Sequence, residues 1–159
     1  MDAAERPTDC RSDVIIALDV SGGVGSTEFS LMKTFLSTFV AGLSVDSGDT
    51  RVGLVTYAED VETVIYPNVY SSSASLQAAV SALPYVQTGT QYSNTAAALT
   101  YVRTAMLTSA AGARLTVSNV VIVITAARSH HATNAQVRIS SYLCTGMMIK
   151  CNNSTLLFK

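Results

Sequence analysis

The stretch Val14–Thr27, VIIALDVSGGVGST, constrains this chain more than any other. A short, apolar, β-branched run bounded by glycine reads as a strand over Val14–Val20 that is buried on both faces, the pattern of a parallel sheet covered by helices. It ends in Asp19, Ser21 and a glycine-rich turn, and an amphipathic pattern follows. In open α/β sheets, ligands sit in the crevice at the carboxyl ends of the strands. Asp19 and Ser21 are expected at that crevice, with the amide groups of a helix N-terminus close by.

Phe29, Met32, Leu36, Phe39, Val40 and Leu43 recur at helical spacing and predict a helix over Thr27–Leu43. Ser26 is its expected cap, and Glu28 lies in the first turn, where the helix dipole favours an acid. After the turn VDSGD, Arg51–Tyr57 and Val61–Tyr66 predict two strands joined at Glu59 and Asp60, a hairpin that brings one antiparallel pair into the sheet. Leu76, Ala79, Val80 and Leu83 mark a second helix, stopped by Pro84. The loop Gln87–Ser93 leads into a third helix over Thr95–Ser109, and Val120–Thr125 is the next buried strand. Ala132–Leu143 then predicts a helix and Met147–Lys150 one more short strand. This order, with short connections, indicates a three-layer, Rossmann-like α/β fold whose mostly parallel sheet has one antiparallel edge strand. Residues 1–11 read as an N-terminal extension and 12–159 as a single domain whose segment 140–159 diverges in pattern.

Composition agrees with a covered sheet: 48% of the 159 residues are hydrophobic and 13% charged, against about 25% charged in an ordinary soluble domain. A net charge of −1 gives no electrostatic reason to bind nucleic acid or acidic membranes. No apolar run approaches the roughly 20 residues that span a bilayer. The first residues, MDAAERPTDCRSD, are polar and acidic, unlike a secretory signal, so the chain is expected either to be intracellular or to lack its leader. Cys10, Cys144 and Cys151 leave one thiol over if two pair, and no C-x-x-C suggests zinc. Asn152 and Asn153 both satisfy N-x-[ST], which matters only in a secreted chain.

Two parallel strands flanking a switch point would bring the loops after Val20 and after Thr125 together, with the Gln87–Ser93 loop on the same side. These loops offer Asp19, Ser21 and a hydroxyl from Thr90 or Ser93. One carboxylate and two hydroxyls suit a hard cation such as Mg²⁺. Over Ser12–Ser129 the chain resembles the von Willebrand factor type A domain, an adhesion module of integrins, matrix proteins and some collagens. The segments that carry the resemblance are the strand ending in D-x-S, R-V-G-L-V-T-Y-A, Leu83-Pro84, N-T-x-x-A-L at Asn94–Leu99 and V-x-I-T-x-x-R-S at Val123–Ser129.

The resemblance implies a metal-ion-dependent adhesion site (MIDAS) built from D-x-S-x-S, a third-loop threonine and the aspartate of T-D-G. Asp19 and Ser21 match. Gly23 replaces the second serine, and Thr125-Ala126-Ala127 replaces T-D-G, so Ala126 stands where a carboxylate is expected. Counting back from Asn94 assigns Ser93 to the third-loop position; counting from Gly89 assigns Thr90. The resemblance therefore implies an extracellular or secreted module that binds a protein such as collagen or another matrix protein, with its Mg²⁺ site weak or lost and Tyr85 and Tyr92 flanking the ligand face. It also places Cys10 where the family has a cysteine bonded to one near the domain's end; Cys144 or Cys151 would be the partner, or Cys10 stays free. The tail after Thr125 does not supply all the elements the family continues with, so the fold is expected to be C-terminally incomplete, with an open sheet edge.

Other readings remain open, first among them that Asp19, with Ala126 in place, is a structural acid that caps loop amides rather than one linked to a metal. GGVGST suggests a nucleotide loop, but the lysine that such a loop needs is absent, with Ser26 in its place. Ser21 lacks the G-x-S-x-G context of a hydrolase nucleophile. His130 and His131 are adjacent in a polar loop and read as solvated. An α/β enzyme using the Asp19–Thr27 loop, or a degenerate fragment that binds nothing, are the alternatives to an adhesion module.

Overall fold

The computed structural model describes residues 11–85 and 93–125, and the backbone of 147–151 and 154–158. β1 (Ser12–Asp19) is followed by α1 (Ser26–Ala41), β2 (Thr50–Tyr57), β3 (Val61–Ile65), α2 (Ser73–Ser81), α3 (Thr95–Tyr101) and β4 (Ser118–Ile124). The sheet order is β3-β2-β1-β4. β1 runs parallel to both β2 and β4, while β3 is the antiparallel edge strand. The chain therefore moves outward from β1 on one side and returns on the other, which makes the carboxyl ends of β1 and β4 a switch point.

Strand alternation divides the core into two layers. Val14, Ile16 and Leu18 of β1 join Val52 and Leu54 of β2 beneath α1 and α2, through Phe29, Leu36, Val40, Leu76 and Val80. Ile15 and Ala17, with Val55 and Tyr57, meet Ala98, Val102 and Met106 on the opposite face. β1 thus has helices on both sides, which explains its unbroken apolar run. The two helices of the first layer are linked by Lys33, whose Nζ donates to the carbonyls of Ser81 (3.0 Å) and Leu83 (3.3 Å) at the end of α2 and lies 5.3 Å from the Phe29 ring centroid.

Three expectations change. α1 starts one residue early: Gly25 is its N-cap, with no side-chain hydrogen bond, and Ser26 is helical. The third helix is not one α-helix to Ser109. Beyond Tyr101 it widens into a π-turn over Val102–Met106, closed by the Leu107 N–H donating to the Val102 carbonyl at 2.9 Å. Met106 there packs over Gly53, where an added Cβ would lie 2.9 Å from Ile15 Cδ1 and 3.1 Å from Met106 Cε. The strand over Met147–Lys150 exists as β5 (Met147–Cys151), but it pairs antiparallel with β6 (Ser154–Phe158) in a separate two-stranded sheet. β4 is therefore the edge of the four-stranded sheet among the described strands. The helix expected over Ala132–Leu143 lies outside the described residues. Among the described residues no helix is long and apolar enough to cross a membrane.

At the amino end of β1, Asp13 is wholly buried. Its Oδ1 accepts from Arg114 Nε (2.9 Å) and forms an ion pair with Nη2 (2.8 Å), and its Oδ2 accepts from the Arg114 backbone N–H. The same guanidinium donates to the carbonyls of Ser12, Gly48 and Asp49, so it ties the start of β1 to the turn before β2. Arg114→Met leaves the buried carboxylate without a counter-charge. Urea unfolding at neutral pH is expected to show a loss of about 3–5 kcal/mol, the cost of breaking a buried ion pair from one side.

Candidate functional site

Four segments meet at the carboxyl end of β1. The Val20 N–H donates to the Tyr57 carbonyl at 2.8 Å and holds the first loop against the end of β2. The Val24 N–H closes a turn on the Ser21 carbonyl at 2.9 Å, which allows α1 to start. On the far side of β2, the Asn94 N–H donates to the Ala58 carbonyl at 2.7 Å, while the Asn94 side chain caps α3 by accepting from the Ala97 N–H at 3.1 Å. This anchors Ser93 and Thr95 beyond the end of β2. β4 pairs with β1 up to Ile124, so Thr125 emerges beside Asp19.

Asp19 has no exposed surface. Its Oδ1 accepts from the Ser21 N–H at 2.9 Å, and its Oδ2 accepts from the Thr125 hydroxyl at 2.5 Å. Tyr57 is equally buried, and its hydroxyl lies 3.3 Å from Thr95 Oγ1. Burial, reinforced by the negative charge of Asp19, pushes the Tyr57 phenol from 10.0 up to about 12, against hydrogen bonds from Thr95 and Thr125 that pull it down. Ser21 and Ser93 are buried too, and neither Oγ has any hydrogen-bond partner. Leaving a buried hydroxyl unmatched costs on the order of 1–3 kcal/mol. Two of them lie at this end of the sheet and a third, Ser73 Oγ, lies at the start of α2; a buried polar atom without a partner calls for an explanation.

Of the residues singled out in the sequence, Asp19, Ser21 and Ser93 all lie at the carboxyl end of the sheet. Gly23 is exposed and brings no side-chain oxygen. Tyr85 packs its ring 5.5 Å from that of Phe29 and donates its hydroxyl to the Val24 carbonyl at 3.0 Å. It therefore braces the first loop while remaining partly exposed. Thr90, Tyr92, Ala126, His130, His131, Cys10 and Cys144 lie outside the described residues, and only the backbone of Cys151 is described. Tyr57, Thr95 and Thr125 complete the site without having been assigned to it. Tyr57 ends the strand β2 and pairs directly with Asp19 across two parallel strands, a register that only the structure gives.

The donor set fits a doubly charged ion poorly. Each Asp19 oxygen accepts one hydrogen bond, Asp19 is the one carboxylate the site offers among the described residues, and no group of three His, Cys, Asp or Glu side chains suited to a metal occurs among them. Two free hydroxyls and one buried negative charge remain. A dication held by a single carboxylate keeps an uncompensated positive charge, which is costly.

A family model described as von Willebrand factor type A domain matches residues 13–149. Matrilin-1 of Bos taurus is 37% identical over 123 residues, covering 77% of this chain but 22% of its own length. The collagen alpha-5(VI) chain of Mus musculus is 27% identical over 82 residues, or 52% of this chain and 3% of its own. The chain thus spans less than a quarter of either relative. Among solved structures, proximal thread matrix protein 1 from the mussel byssus superposes with a TM-score of 0.70 at 19% identity, over 76% of this chain and 32% of that one. The same protein with a zinc-occupied MIDAS motif gives 0.69. At this identity the likeness concerns the fold.

The Tyr57 phenol gives the site a pH signature. Its folded-state pKa is raised, so the folded chain holds this proton more tightly than the unfolded chain. The stability it contributes is complete below pH 10 and is lost as the pH rises toward about 12. Urea unfolding of the parent and of Tyr57→Phe at a series of pH values is expected to show a steeper loss across that window in the parent, with the difference vanishing below it.

Proposed function

This chain belongs to the von Willebrand factor type A domain family, and from that membership we propose that it is a non-catalytic protein-binding module of the extracellular matrix type. It binds its partner through the loops at the carboxyl end of the sheet, and its metal-ion-dependent adhesion site is weakened to the point that binding does not need a divalent ion. One observation carries this reading: the buried hydroxyls of Ser21 and Ser93, unpartnered beside Asp19, are maintained at a cost in stability. Such groups are satisfied by something from outside the fold.

The chemistry of the same groups favours binding over turnover. A serine nucleophile needs a base within hydrogen-bond reach, and neither Ser21 Oγ nor Ser93 Oγ has a hydrogen-bond partner. The likeness to matrilin-1 and to a collagen VI chain supports a matrix location and a matrix protein, native collagen included, as the partner.

The test is solid-phase binding of the chain to a panel of purified matrix proteins, native collagens among them, in Mg²⁺ and in EDTA. Saturable binding to at least one member is expected, equal in both buffers and about tenfold weaker in Asp19→Asn. A cooperatively melting chain that binds no member contradicts the reading; binding abolished by EDTA contradicts its metal-independent part.

A further inference from the structure

We propose that the carboxyl end of the sheet receives the primary ammonium of a lysine side chain presented by the protein partner, with the Asp19 carboxylate, Ser21 Oγ and Ser93 Oγ as its acceptors. The inference rests on the protein-binding reading above and names the partner's chemistry. It reverses the polarity that a metal-bridged site would have, in which the partner contributes an acid.

The charge and the hydrogen-bond inventory both select this group. The site holds one buried negative charge, and no Lys or Arg among the described residues forms an ion pair with it. A single positive charge balances it, a dication does not, and an anion is repelled. An ammonium has three donors and no acceptor. The site offers one carboxylate, with one lone pair still open on each oxygen, and two rotatable hydroxyls with every lone pair free. A guanidinium presents five donors in a rigid plane and would leave some unmade among so few acceptors. Because the acceptors have no exposed surface, the cation needs a slender carrier, which the four-carbon stem of lysine provides.

The surroundings point the same way. Glu28 in the first turn of α1, and Glu59 and Asp60 on the turn after β2, are exposed at this end of the sheet. Exposed acids around a buried one steer a basic partner toward it. The opposite end of β1 supplies an internal comparison. There Asp13, just as buried, is neutralised by a cation of the chain itself, Arg114. Asp19 receives only neutral donors.

The experiment compares binding of the intact chain and of Ser21→Ala/Ser93→Ala to the matrix protein found above, before and after acetylation of that partner's lysines. The double variant removes two hydroxyls that make no hydrogen bond, so it is expected to melt no lower than the parent while binding about tenfold or more weakly. Acetylation is expected to weaken the parent's binding to a similar degree and to cost the double variant nothing further. Parent binding that survives acetylation, or that falls equally in both chains, overturns the lysine assignment and leaves the protein-binding reading intact. Absence of any partner for the unmodified parent overturns both.

Discussion

The Arg114–Asp13 ion pair closes one end of the central strand and ties it to the turn before β2. β1 is flanked by strands and roofed by helices on both faces, so any charge on it is buried. Asp13 and Asp19 lie on the same face, roughly 20 Å apart along an extended strand. Burial of a carboxylate is strongly unfavourable without a counter-charge. At Asp13 the chain supplies that counter-charge and uses the rest of the guanidinium to knit three backbone carbonyls together. At Asp19 it supplies two neutral donors. One strand therefore carries a carboxylate paired with a cation of the chain at one end and a carboxylate that accepts from neutral donors at the other.

Tyr57 turns that residual charge into a defined site. Its hydroxyl sits near Thr95, its proton is held by burial and by the field of Asp19, and its backbone carbonyl anchors Val20. The phenol, Thr95 and Thr125 form a hydrogen-bonded network that ends on the Asp19 carboxylate. Ser21 and Ser93 are then the only members of the network, among the described residues, whose hydroxyls are idle. Both of these atoms lie at the switch point where an α/β sheet offers a crevice.

Much of this was legible in the sequence because the strands are strongly patterned. The apolar run before Asp19, the hairpin turn at Glu59 and Asp60, and the helical spacing from Phe29 to Leu43 each have one physical interpretation, and the resemblance carried by several ordered segments agrees with them. The choice between Thr90 and Ser93 is one of loop length, which periodicity does not constrain; Thr90 lies outside the described residues, while Ser93 sits beyond the end of β2, where the Asn94 N–H donates to the Ala58 carbonyl. The π-turn after Tyr101 was not legible, since helical spacing does not distinguish an i→i+5 turn from an i→i+4 one over a single turn. Nor was the Asp13–Arg114 pair, whose partners are far apart in sequence and meet only once β1 and β4 align. β5 read correctly as a strand, but short apolar runs do not specify which neighbour they pair with.

The central claim is that this site balances one positive charge and not two. Calorimetric titration of Mg²⁺ and Mn²⁺ into the parent chain tests it most directly, with Asp19→Ala as the control and the unfolding midpoint followed alongside. The account predicts a cooperative melt, no saturable heat that the substitution removes, and no shift of the midpoint with either ion. Saturable binding of either ion that Asp19→Ala abolishes, together with a raised midpoint, would contradict it and would show that one carboxylate and two hydroxyls suffice to hold a dication.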